Sequence, residues 1–132
     1  MPSGPYSVLV VDDHPVVREA LADVIEATDG LSVWGTAASG DDALAQLEAT
    51  GPARADGPGV VVTDVRMPGM TGLELVAEVR SRWPALPCLV FSAQQSGTFA
   101  ARARAAGAAG FVEKGDPTAL IEAVLRVSVG AA

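Results

Sequence analysis

Short apolar runs alternate with amphipathic stretches from one end of the chain to the other. Val8–Val11 stops at Asp12-Asp13, and a helix is expected to open at Pro15, a residue suited to the first helical turn. Val17, Ala20, Leu21, Val24 and Ile25 follow at the spacing of one helical face, with Arg18, Glu19, Asp23 and Glu26 on the other side. Asp29-Gly30 ends that helix, and Leu31–Ala37 reads as a second strand. Ser39 is placed to cap a short helix carrying Ala43, Leu44 and Leu47. The Gly- and Pro-rich stretch Thr50–Gly59 predicts a loop, long for a helix-to-strand connection and therefore expected to be the most mobile segment.

The second half repeats the pattern. Val60–Val62 predicts a strand ending at Thr63-Asp64, and Pro68-Gly69 a turn. Leu75, Val76, Val79 and Trp83 then line a helical face that Pro84 closes. Leu89–Phe91 predicts a fourth strand ending at Ser92, and Phe99–Ala106 an alanine-rich helix stopped by Gly107. Gly110–Val112 is a fifth strand ending near Lys114. Asp116-Pro117 opens a last helix whose Leu120, Ile121, Val124 and Leu125 are expected to face the core. Five strands in β–α alternation imply a parallel sheet with helices on both faces.

At 132 residues the chain fits one domain, and 49% hydrophobic residues are enough for a core without staples. The formal net charge of −7, with no basic run, argues against this chain itself binding nucleic acid. A lone cysteine, Cys88, can form neither an internal disulfide nor a zinc cage, and its apolar neighbours predict a buried small hydrophobe. With neither a signal peptide nor a membrane-spanning run, a cytoplasmic protein with no membrane partner is expected.

In open parallel sheets function gathers beyond the carboxyl ends of the strands. Here those ends carry Asp12-Asp13, Asp64, Ser92 and Lys114. Singly each has an ordinary reading: helix cap, turn residue, strand exit, solvated charge. Jointly they put three carboxylates, a hydroxyl and an ammonium on one rim. Crowded carboxylates oppose one another's ionisation, and a hard divalent cation such as Mg²⁺ relieves that conflict. An aspartate can also attack phosphorus to form an acyl phosphate, with positioned cations stabilising the transition state.

The motifs VLVVDDHPVVRE (Val8–Glu19), VVVTDVRMPGMTGLEL (Val60–Leu75), LVFSA (Leu89–Ala93) and AAGAAGFVEKGD (Ala105–Asp116) resemble the receiver domains of two-component response regulators. The DDHP start, the MPGMTGLEL segment and the GFVEKGD ending look most like the NarL/FixJ-type branch, whose receivers usually precede a LuxR-type helix-turn-helix domain. The resemblance implies a flavodoxin-like (βα)5 fold with strand order 2-1-3-4-5 and a single receiver domain over residues 1–132. It implies Asp64 as phosphoacceptor, Asp13 as a direct Mg²⁺ ligand, Asp12 acting on the metal through water, and the backbone carbonyl of Arg66 as a third protein ligand. Lys114 would pair with the phosphoryl group, Ser92 would be the switch hydroxyl and Phe111 the switch aromatic, with a plain core aromatic as its competing reading.

Two departures from the family pattern stand out. Phe111 replaces a common tyrosine, and Gly115 follows Lys114 where many relatives have proline, which removes the X-Pro bias toward a cis bond. His14 reads as a helix-start residue beside the acidic pair. Met67 and Met70 are expected to pack or lie at the rim, Pro68 and Gly72 to shape the turn, and Trp34 and Trp83 to pack. Arg66, Gln94 and Gln95 are candidates for tuning phosphate lifetime.

The implied function is a signalling phosphoacceptor, not an enzyme acting on other substrates. A sensor histidine kinase would donate the phosphoryl group, and the output would be homodimerisation or DNA binding through a domain absent from this chain. A standalone or phosphorylation-independent interaction module is the alternative. A haloacid-dehalogenase-type phosphatase would need an acid two residues after its nucleophile, where this chain has Arg66. Nucleotide binding lacks a glycine-rich loop after the first strand.

Overall fold

The computed structural model describes residues 6–51, 57–92, 97–113 and 117–131. Its strands are β1 (Tyr6–Val11), β2 (Leu31–Ala37), β3 (Val60–Asp64), β4 (Cys88–Ser92) and β5 (Gly110–Glu113). They alternate with α1 (Pro15–Glu26), α2 (Gly40–Thr50), α3 (Gly72–Arg82), α4 (Gly97–Ala106) and α5 (Pro117–Ala131). The strands form one sheet in the order β2-β1-β3-β4-β5, with every neighbouring pair parallel. This is the flavodoxin-like arrangement, and both the strand order and the alternation agree with the sequence reading.

Uninterrupted apolar strands follow from burial on both faces, because successive side chains point to opposite sides. Leu9, Val11, Val61, Cys88 and Val90 face one core with Ala43, Leu44 and Leu47 of α2 and Leu75, Val76 and Val79 of α3. Val8, Val10, Val60, Val62, Leu89 and Phe91 face the other, with Ile25 of α1 and Leu120, Ala123 and Val124 of α5. Trp34 and Trp83 pack against the first core, as expected. Edge strand β2 is blunted by side chains: Glu26 Oε2 accepts the Val33 N–H at 2.8 Å and Gln46 Nε2 donates to Thr36 O at 2.9 Å.

Two helical faces differ from the sequence expectation. Ala20 is exposed, whereas Arg18, assigned to the polar side of α1, is half-buried because its guanidinium folds back onto the end of β1. In α5 the buried stripe runs through Leu120, Ala123 and Val124, and Leu125 is 38% exposed. A stripe at i, i+3 and i+4 suffices where a helix covers only the edge of a sheet, so Leu125 turns past the contact. Helix α1 also ends at Glu26, before the expected Asp29-Gly30 stop, which instead forms the turn into β2 with Gly30 at φ +87°.

Helix α3 is fixed by a capping box. Thr71 Oγ1 accepts the Glu74 N–H at 3.2 Å, and Glu74 Oε1 accepts the Thr71 N–H at 2.9 Å. Thr71→Ala is expected to lower stability by about 1 kcal/mol in urea denaturation. Cys88 is buried, and desolvation of its thiolate pushes the thiol up to about 12. Near pH 8 it should therefore react with a thiol reagent only as fast as the protein opens, reaching full rate when urea unfolds the chain. Prompt labelling of the native protein would contradict that burial.

Candidate functional site

Strands β1 and β3 are neighbours, and their carboxyl ends meet on one rim. Asp12 follows β1 directly and is fully buried, while the Asp13 side chain is 24% exposed. Asp64 closes β3 itself, in register with Phe91 of β4, and is 4% exposed. The strand thus ends at Asp64, as the sequence predicts, and places the carboxylate at the protein's shielded edge.

Backbone donors orient these acids. Asp64 Oδ1 accepts the Val65 N–H at 2.7 Å, and Asp12 Oδ1 accepts the His14 N–H at 2.9 Å. The main chain of Asp12 is also tied on both sides, its N–H to Ala37 O of β2 at 3.1 Å and its carbonyl to Arg18 Nη1 at 2.8 Å. On the far side of Asp64, the Gly72 N–H donates to Val65 O at 2.8 Å, drawing the start of α3 against the end of β3.

Asp12, Asp13, His14 and Asp64 each present one ligand atom, all within 4.8 Å of one another. His14 Nδ1 lies 2.9 Å from Asp12 Oδ1, 3.1 Å from Asp13 Oδ1 and 3.8 Å from Asp64 Oδ2. The helix-start residue of the sequence reading is therefore also a member of the cluster, although its side chain remains 59% exposed. Asp13 Oδ1 is a buried oxygen with no hydrogen-bond donor aligned on it among the described residues, despite the 3.1 Å approach of His14 Nδ1. Clustered carboxylates with an oxygen in that state suit a hard cation, so the acidic residues fit a divalent metal.

The remaining expected residues lie around this centre. Ser92 ends β4, 3% exposed, one strand from Asp64. Phe111 sits in β5 opposite Val90, partly buried against the first core. Arg66 is exposed between buried Val65 and Met67 in the connection from β3 to α3. Met70 packs over Gly40 at the start of α2. Lys114, Gly115, Gln94 and Gln95, and residues 52–56 of the loop expected to be most mobile, fall outside the described residues.

Sequence reasoning missed the guanidinium of Arg18, because hydropathy spacing only sorts it to the polar face. An arginine six residues after the first acid, within reach of its carbonyl, is the only signal that could have suggested it.

A family model for the response regulator receiver domain matches residues 8–125. The chain is 39% identical over 125 residues to the transcriptional activator protein ExaE of Pseudomonas putida, covering 93% of this chain and 55% of that protein. To the transcriptional regulatory protein FixJ of Azorhizobium caulinodans it is 39% identical over 121 residues, 92% of this chain and 54% of the relative. The chain thus spans about half the length of the curated relatives it matches. Among solved structures, the signal receiver domain of the response regulator NarL from Mycobacterium tuberculosis superimposes with a TM-score of 0.85 at 33% identity, covering 96% of this chain and 98% of that one.

Proposed function

We propose, from the premise that this chain belongs to the receiver-domain family of two-component response regulators in its NarL/FixJ-type branch, that Asp64 is its phosphoacceptor. One observation carries the reading: the Asp64 carboxylate lies at the shielded end of a central strand, grouped with Asp12 and Asp13. A carboxylate oxygen of Asp64 forms a bond to phosphorus as the bond from phosphorus to a kinase histidine nitrogen breaks. The product is an acyl phosphate on Asp64 and a free imidazole on the kinase. Asp12, Asp13, Asp64 and the Arg66 carbonyl would hold Mg²⁺, which when bound supplies positive charge against the phosphoryl oxygens. Lys114 contributes a second cation and Ser92 a hydroxyl donor to the same oxygens.

The acyl phosphate adds roughly two negative charges to the rim. That charge draws Ser92 toward it and biases the packing of Phe111, altering the surface formed by α4, β5 and α5. The altered surface controls homodimerisation and, through a helix-turn-helix domain outside this chain, DNA binding. Among the described residues no helix is long and apolar enough to cross a membrane. The exchange with the sensor kinase belongs, in this reading, to the cytoplasm.

The test is intact-mass measurement after incubation with acetyl phosphate, with Mg²⁺ or with a chelator. One phosphoryl group should add only in the presence of Mg²⁺. No adduct, under conditions that label an established receiver in parallel, would sink the proposal.

A further inference from the structure

Arg18 is anchored at both ends of the turn that carries the acidic pair. Its own N–H donates to His14 O at 2.9 Å, the opening bond of α1, while its guanidinium donates to Asp12 O at 2.8 Å. The three residues between these anchors, Asp12, Asp13 and His14, are the β1 side of the cluster. Helix α1 gets no side-chain cap from His14 and has no acid in its first turn. The geometry of the turn therefore rests on the Asp12 N–H bond to Ala37 O and on Asp12 Oδ1 meeting the His14 N–H and ring. It rests also on the clamp from Arg18, which alone holds the Asp12 carbonyl among the described contacts. Three crowded carboxylates repel, and that repulsion would splay the turn away from Asp64.

We infer that Arg18 is a positioning residue for the divalent cation. By holding the Asp12 carbonyl it keeps Asp12 and Asp13 converged on Asp64 before any cation arrives, so binding needs no reordering of the turn. Its permanent charge, one peptide group from the Asp12 carboxylate, also offsets part of the repulsion without occupying the cation's place. The inference rests on the phosphoacceptor reading only for its consequence in phosphorylation; the cation affinity is a separate quantity.

Titration calorimetry of the whole chain with MgCl₂ tests it, alongside acetyl phosphate labelling over a range of Mg²⁺ concentrations. Arg18→Met, which keeps the stem and loses the donors, should weaken Mg²⁺ binding roughly tenfold, the usual cost of removing a group that orients metal ligands. The Mg²⁺ concentration for half-maximal labelling should rise by a similar factor, and the rate at saturating Mg²⁺ should fall far less. Arg18→Lys, with one cationic donor, should recover part of the affinity, which a space-filling role would not predict. Should the methionine variant lack the wild-type circular dichroism spectrum, Arg18→Gln carries the same expectation. A folded methionine or glutamine variant that binds Mg²⁺ within about twofold of wild type overturns the inference. So does a lysine variant no better than methionine. If wild type binds Mg²⁺ but takes no phosphoryl group, the phosphoacceptor reading fails while the affinity comparison still decides the role of Arg18.

Discussion

Asp64→Asn should leave the chain folded and remove the acetyl phosphate adduct, a fall in labelling rate of at least on the order of 10³-fold. Asparagine has nearly the same shape, and its amide oxygen can still accept the Val65 N–H that Asp64 Oδ1 accepts at 2.7 Å. The end of β3 therefore keeps its local geometry. The substitution removes the anionic oxygen that we propose attacks phosphorus and takes one negative charge from the cluster. Less repulsion at the rim should keep the unfolding midpoint in urea at or above that of wild type, while Mg²⁺ binds more weakly. Intact mass, urea denaturation and calorimetry read these three effects separately. Equal labelling of Asp64→Asn and wild type would move the nucleophile to another residue of the cluster.

Gly72→Ala should destabilise the chain by about 3 kcal/mol or more and slow phosphorylation as well. A Cβ at this position would overlap the carbonyl oxygen of Asp64 and lie 2.8 Å from its carbonyl carbon and 2.9 Å from Val65 Cα. All three are backbone atoms, so no side chain can rotate away to make room. The alanine would gain up to about 1 kcal/mol from helix propensity at the start of α3, which does not offset a backbone overlap. Relief requires α3 to lift or the end of β3 to move, and either shift breaks the 2.8 Å bond from Gly72 N to Val65 O and displaces Asp64. Misplacing a reacting group by about 1 Å can cost a factor near 10², which should appear in the labelling rate of whatever protein remains folded. Stability equal to wild type would mean that this junction yields easily and that the close approach has no role.

Much of the site was legible because its chemistry sits where the topology demands it. Once β–α alternation implied a parallel sheet, the acids that follow Val11 in the first run and Thr63 in the third had to share one rim. Asp12, Asp13 and Asp64 do share it. Ser92 was placed by the same rule and lies at the end of β4. Periodicity failed for Ala20 and Leu125, where it cannot say how wide a stripe the sheet covers. It also failed for Arg18, whose partner is a main-chain carbonyl that no side-chain pattern reports.

By itself the sequence determined which segments become strands, the two-sided burial of the sheet and the identity of the acids on its rim. These follow from local alternation, apolar runs and glycine or proline punctuation, all properties of neighbouring residues. Only the tertiary structure decided that His14 Nδ1 lies 2.9 Å from Asp12, that Arg18 clamps the turn, and that Gly72 touches the backbone of Asp64. Those contacts depend on how strands β1 and β3 and the starts of α1 and α3 are brought together. Their distances are set by the packing of the whole sheet, which no local pattern encodes.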